Sequence, residues 1–203
     1  MRIYLGNHSS LEFGYLQGKY GNMGWLLSPK SLPKTKLRSF IPVAFDNDAY
    51  SVKEGEVWNE EAWYSMLDKL EGKVSPEFVL LPDVVGDKRR TLENFFVYRE
   101  AVSRRGWPVA ISVCEGMKPQ DIPCTADVIF VGGKSLKYKF DSLPMWCQAF
   151  PRVHCGRVNS LKLLHYCYEH GVESVDGTHW FRFRKPEEYL QDFISFFEDQ
   201  KIE

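Results

Sequence analysis

EFVLLPDVVGDKRRTLENFFVYREAVSRRGWPVAISVC, residues 77–114, decides the fold of this 203-residue chain. It opens on a nearly unbroken apolar run, Glu77–Val85, interrupted by Pro82 and Asp83. Apolar residues then recur at roughly helical spacing over Thr91–Arg105, with Leu92, Phe95, Phe96 and Val102 on one side and Gly106 as the stop. A second apolar run, Pro108–Cys114, follows at once. Strands without polar alternation are strands covered on both faces, and a strand–helix–strand unit of this kind is parallel.

The same grammar extends in both directions. Six further runs read as strands: Arg2–Gly6, Trp25–Ser28, Ile41–Asp46, Asp127–Gly132, Val153–Val158 and Glu173–Asp176. Helices are expected where Asn59 caps EEAWYSMLDKLEG and Gly72 ends it, over Ser160–His170, and over Pro186–Gln200. Ser9–Gly24 is rich in glycine and aromatics and shows no clear helical pattern. Eight strands over residues 1–203 predict a compact single-domain (β/α)8 TIM-like barrel. An open doubly wound sheet is the rival, because sequence does not display closure.

Composition is that of an ordinary globular protein: 44% hydrophobic, 26% charged, net charge −1. A near-neutral charge neither announces nor excludes a nucleic-acid partner. The five cysteines form no CxxC or CxC pair, so a closed zinc site is not expected, and reduced thiols are. A site of His8, His154 and Asp46 lacks ligand spacing, and His154 and His165 read as packing residues. The absence of a long apolar segment predicts a cytoplasmic protein without membrane contact.

In parallel α/β folds ligands sit beyond the carboxyl ends of the strands, and a barrel gathers those ends at one mouth. Here they carry FDNDAYS (45–51), LLPDVVGDKRRTLENF (80–95), IFVGGKS (129–135), HCGRVNS (154–160) and SVDGTHW (174–180). Each acid has a plainer reading. Asp83 and Asp87 suit turns or helix caps, Asp176-Gly177 is a turn signal, and Asp48 suits a pair with a loop lysine.

Together, and in this order, the five motifs resemble the phage and bacterial DNA 7-deazaguanine transglycosylases, relatives of tRNA-guanine transglycosylase. The resemblance implies a pentosyltransferase that replaces guanine in DNA by a 7-deazaguanine through an aspartate glycosyl–enzyme intermediate. No cofactor is implied. Asp176 matches the nucleophile, Asp46 the acid–base aspartate and Asp83 the reader of the base edge. Gly132 and Gly133 match the glycine turn at the base. Around them Asn47, Asp48, Tyr50, Lys134, Arg157, Asn159 and Thr178 are candidate substrate contacts. The implied partners are DNA, single-stranded or with its base flipped out, and a 7-deazaguanine of cyano or amidino type. A phage-encoded member would act in the host cytoplasm.

The chain departs from the tRNA enzymes in its length, in lacking their cysteine-rich zinc site, and in Asp48, where relatives carry glycine. Hydrolytic release of the base, a nucleoside-level enzyme and a non-catalytic nucleic-acid-binding barrel are the alternatives.

Chemistry fits the implied roles. Displacing a base from C1′ passes through an oxocarbenium-like state that one carboxylate stabilises or traps, while a second acid handles the base's proton. An ionised Asp83 is the acceptor that guanine's N1–H and N2–H donors require. Phe45, Tyr50, Trp180 and Phe181 are candidate walls for an unstacked base, with barrel packing as the alternative. Basic residues follow the strands: Lys30, Lys34, Lys36 and Arg38; Lys88, Arg89 and Arg90; Lys134, Lys137 and Lys139; Arg182, Arg184 and Lys185. Placed so, they would ring the mouth and hold phosphates. Among them Lys88, Arg89, Arg90, Lys137, Arg182 and Arg184 are the nucleic-acid contacts the reading selects.

Overall fold

The computed structural model describes residues 1–6, 10–33, 37–38, 40–53, 55–133, 135–177, 180 and 185–200. Eight strands run in chain order: β1 (Arg2–Leu5), β2 (Met23–Leu27), β3 (Val43–Phe45), β4 (Val79–Leu80), β5 (Val109–Val113), β6 (Val128–Val131), β7 (Val153–Cys155) and β8 (Ser174–Asp176). All neighbours pair in parallel, and β1 also pairs with β8, with Tyr4 opposite Asp176. The sheet is therefore a closed (β/α)8-type barrel, and the open-sheet alternative is excluded.

Helices cover the outside: α1 (Leu11–Tyr20), α2 (Glu60–Leu70), α3 (Lys88–Ser103), α4 (Leu136–Ala149), α5 (Leu161–Glu169) and α6 (Pro186–Asp199). Among the described residues β2 and β5 are followed only by 3-10 turns, Pro29–Ser31 and Pro119–Asp121, so two crossovers are made without an α-helix.

Two helices depart from expectation. α1 lies in the stretch that showed no helical pattern. Gly14 and Gly18 each cost a helix about 1 kcal/mol relative to alanine, and that hid it. It forms because Ser10 accepts the Phe13 N–H at 3.2 Å and Gly21 stops it in the left-handed region. Tyr20 at its end then stacks on Phe197 of α6 at 4.7 Å. In α4, Pro144 lacks the N–H that would bond the Phe140 carbonyl. The Tyr166 hydroxyl of α5 donates to that carbonyl at 2.7 Å and so satisfies the orphaned acceptor.

Strand β4 is shorter than the run Glu77–Val85, because Pro82 ends the ladder and turns the chain toward the mouth.

The barrel has two cores. The larger lies between strands and helices and holds Trp63, Trp146, Phe193 and Phe196. The smaller fills the interior with Tyr4, Ala44, Phe78, Leu80, Ala110, Val128 and Phe130. Rings on β1, β6 and the approach to β4 meet alanines on β3 and β5, so the barrel is plugged and the strand ends stand on a solid floor.

Candidate functional site

Beyond β3 the chain turns sharply through Asp46, Asn47 and Asp48. One oxygen of Asp46 accepts the Asn47 N–H at 2.6 Å and the Asp48 N–H at 3.3 Å. Asp48 sits in the left-handed region at φ 61°, a conformation that favours glycine. Its carboxylate accepts the backbone N–H of Lys30 at 2.9 Å, so it ties the β2 loop down by a main-chain bond and not by the lysine charge.

Asn47 is buried and uses every polar atom. Its amide nitrogen donates to the Leu81 carbonyl at 2.6 Å and to Asp83 at 2.9 Å. Its amide oxygen accepts the Ala49 N–H at 2.7 Å, and its carbonyl accepts the Trp58 indole N–H at 2.6 Å. The ends of β3 and β4 are thus joined through one side chain.

The Ser112 hydroxyl of β5 lies on the same side and favours the charged form of Asp83. The Asp83 loop is held by Thr91, whose hydroxyl accepts the Val84 N–H at 3.1 Å and donates to the Val84 carbonyl at 3.2 Å. Asp87 caps α3 by accepting the Arg90 N–H at 3.0 Å. Much of the PDVVGD–TLENF spacing is therefore architectural: it aims Asp83 and starts a helix.

Asp176 ends β8. One oxygen accepts the Arg157 N–H at 3.1 Å, and the other meets His154 Nε2 at 3.0 Å. Two glycines make room for it. A Cβ on Gly156 would stand 2.9 Å from the Phe130 ring and 3.2 Å from Asp176, and one on Gly177 only 2.2 Å from the Val158 carbonyl oxygen. Asn159 lies against Gly177, 3.0 Å from the same point.

Tyr50 and Arg157, from loops on opposite sides of the barrel, meet across the mouth. The guanidinium lies 4.6 Å from the tyrosine ring centre and donates to its hydroxyl.

Burial, first, and then the negative charge of Asp176, with Asp48 and Asp83 behind it, push the Asp46 carboxyl up to about 7, against the pull of the Asn47 N–H. Burial also raises Asp83, opposed by Asn47 and Ser112. A mouth with one carboxyl disposed to keep a proton beside a second carboxylate is an acid–base arrangement.

Gly132 and Gly133 follow β6, with Gly133 in the left-handed region. Phe45 is buried against Trp107, and Trp180 is buried with its indole donating to the Val158 carbonyl at 2.8 Å. Lys139 is corrected most sharply: it is 1% exposed inside α4, its ammonium donating to the Gly156 carbonyl, where burial lowers its pKa.

Of the cations selected as phosphate contacts, Lys88 pairs with Asp121 at 2.7 Å, Arg89 with Glu93 at 2.6 Å, and Lys137 with Asp141. Arg90 is exposed and makes no ion pair among the described residues. Lys34, Lys36, Lys134, Thr178, Phe181, Arg182, Arg184 and His8 lie outside the described residues. No group of three or more His, Cys, Asp or Glu side chains among the described residues can hold a metal ion. No described helix is long and apolar enough to cross a membrane.

Sequence reasoning read His154 as a packing residue and did not single out Ser174 beside it, nor Ser112 and Trp58 nearer the mouth. For the first two the signal was present. Ser174 and Asp176 share one face of β8, and His154 faces the same way in the neighbouring strand.

No protein-family model and no curated protein matches the chain. Among solved structures it is similar to a Coccidioides immitis protein provisionally assigned as a fructose-1,6-biphosphate aldolase. The TM-score is 0.59 and the identity 12%, over 98% of this chain and 87% of the other. At that identity the likeness concerns the barrel alone.

Proposed function

We propose that the chain is an enzyme of glycosidic-bond chemistry that exchanges guanine in a nucleic acid for a 7-deazaguanine base. The observation that carries the reading is the pair at the mouth: Asp46, held near pH 7 as an acid, beside Asp176, whose two oxygens each have a hydrogen-bonding partner. A carboxylate oxygen of Asp176 bonds to C1′ as the bond from C1′ to the base breaks. The departing base takes the proton from Asp46. The incoming base gives its N9 proton to Asp46 and bonds to C1′, releasing Asp176. Asp83 accepts from the donor edge of either base, and Tyr50 stacks on it once Arg157 moves aside. Water in place of the second base gives hydrolysis through the same steps.

The test is nucleoside mass spectrometry of guanine-containing DNA incubated with the protein, with and without a cyano- or amidino-7-deazaguanine base. Exchange predicts incorporation. Scission by alkali without added base indicates hydrolysis. Both are lost in Asp176→Asn, and a variant that keeps full cleavage refutes the nucleophile.

A nucleoside-level substrate is the second reading, favoured by the commitment of Lys88, Arg89 and Lys137 to neighbouring acids. It predicts turnover of free deoxyguanosine with little salt dependence, where polymeric DNA predicts a steep one.

A further inference from the structure

Beneath Asp176 the interior wall carries a histidine with no place in the chemistry above. His154 of β7 is 0% exposed and lies opposite Ser174 of β8 in register. Its ring stacks on Phe130 at 4.6 Å between centres and is flanked by Phe78 at 5.0 Å and Tyr4 at 5.9 Å. Both ring nitrogens are used: Nδ1 meets the Ser174 hydroxyl at 2.9 Å and Nε2 meets Asp176 at 3.0 Å.

An ionised carboxylate only accepts, so Nε2 must carry hydrogen, and in the neutral ring Nδ1 then accepts from the Ser174 hydroxyl. The serine fixes the tautomer, the aromatic cage fixes the ring plane, and the ring fixes one oxygen of Asp176. The Arg157 N–H fixes the other. Among the described residues Asp46 receives no such side-chain donor; both of its hydrogen bonds come from the turn backbone and fall on one oxygen.

We infer that His154 is a positioning residue that decides the division of charge at the mouth: it holds and aims one oxygen of Asp176, and so sets which of the two aspartates takes the proton. The assignment deepens the reading of Asp176 as nucleophile and rests on it for its meaning, although the division of charge can be measured without any substrate. Two close carboxylates otherwise share one proton, and neither is then a dependable anion or a dependable acid. The other groups facing the pair are Asp48 from the β3 loop, Asp83 from the β4 loop, the Arg157 guanidinium from the β7 loop, and the Lys139 ammonium behind Gly156. None of them donates a side-chain hydrogen bond to Asp176 among the described residues.

The experiment is a pH titration of aspartate carboxyl carbons by NMR in 13C-labelled protein, with Asp46→Asn and Asp176→Asn assigning the signals. In the wild type the Asp46 signal moves in a single step near pH 7. In His154→Phe, which keeps a stacked ring and removes both nitrogens, the Asp46 and Asp176 signals move together over shared steps. In His154→Gln, whose amide can donate, the single Asp46 step returns. Loss of a charge-assisted hydrogen bond predicts a fall of about 10- to 100-fold in kcat for His154→Phe, with KM changed less than about threefold.

An Asp46 step unchanged in His154→Phe overturns the inference, whatever the activity. If instead the titrations behave as expected but no DNA or nucleoside is turned over, the proposed function falls and the division of charge stands. Should His154→Phe fail to fold, His154→Leu, smaller than the ring it replaces, takes the same titration with the same two outcomes.

Discussion

Asp46→Asn is expected to make the protein more stable above pH 7 while destroying its acid. The Asp46 carboxyl is held up from 3.8 to about 7, chiefly by burial and then by Asp176. At about 1.4 kcal/mol per pH unit, ionising it in the folded state costs up to about 4 kcal/mol. The sign follows from proton binding. Between pH 3.8 and about 7 the folded state holds a proton that the unfolded state has lost, so its stability falls as pH rises through that window.

Asparagine stays neutral throughout, and its side-chain oxygen can accept the same two backbone N–H groups. The variant should match the wild type below pH 4 and exceed it at pH 8. Relaxation of the turn and water entry are expected to reduce the gain to about 2 kcal/mol, or about 4–8 °C in Tm for a chain of this size. Urea and thermal melts at half-unit steps from pH 4 to 8 measure the difference. A variant no more stable than the wild type at pH 8, or a gap that does not close toward pH 4, would refute the electrostatic account of the site.

Three further outcomes follow from single contacts. Gly177→Ala drives a Cβ into the Val158 carbonyl, 2.2 Å away, and a backbone oxygen cannot step aside like a side-chain tip. A loss of about 3 kcal/mol, or 6–12 °C in Tm, is expected by calorimetry, and a loss under 1 kcal/mol would mean that the β8 turn is laxer than described. Tyr166→Phe leaves the Phe140 carbonyl beside Pro144 without its donor and should cost about 1–2 kcal/mol in urea melts; the same change in a Pro144→Ala background should cost measurably less. A thiol reagent at pH 7.5 should modify Cys124 first, because it is exposed, whereas burial pushes the Cys147 thiol up to about 11 and Cys155 and Cys167 are enclosed. Mass spectrometry resolving two fast sites would contradict that order.

The strands were legible because parallel strands covered on both faces are apolar throughout, and no other arrangement explains eight such runs ending in polar residues. Closure was not legible, since it depends on Arg2–Leu5 finding Ser174–Asp176 across the whole chain. α1 was hidden by its glycines, and its stability comes from α6, a tertiary partner that no local pattern reveals.

At the site, Asp46, Asp83 and Asp176 were legible as polar residues at strand ends, but their surroundings were not. Lys139 read as one more cation in a loop. The helix that follows β6 turned it inward, onto the Gly156 carbonyl. Ion pairing of Lys88, Arg89 and Lys137 was equally out of reach, because which acid a surface cation meets depends on helix phase and on turns such as Pro119–Asp121.

The interlocked hydrogen bonds of Asn47 bear on how this protein can change over generations. A substitution at Asp83 strands the Asn47 amide, a change at Asn47 frees the Leu81 carbonyl and the Ala49 N–H, and each slackens the turn that holds Asp46. Residues knotted in this way exchange as a set or not at all. The outer helix faces carry no such debt: Arg89 with Glu93, or Lys137 with Asp141, can be traded for any solvated pair at almost no cost. Drift is therefore channelled outward, and two barrels of common descent can come to share little more than a handful of mouth residues.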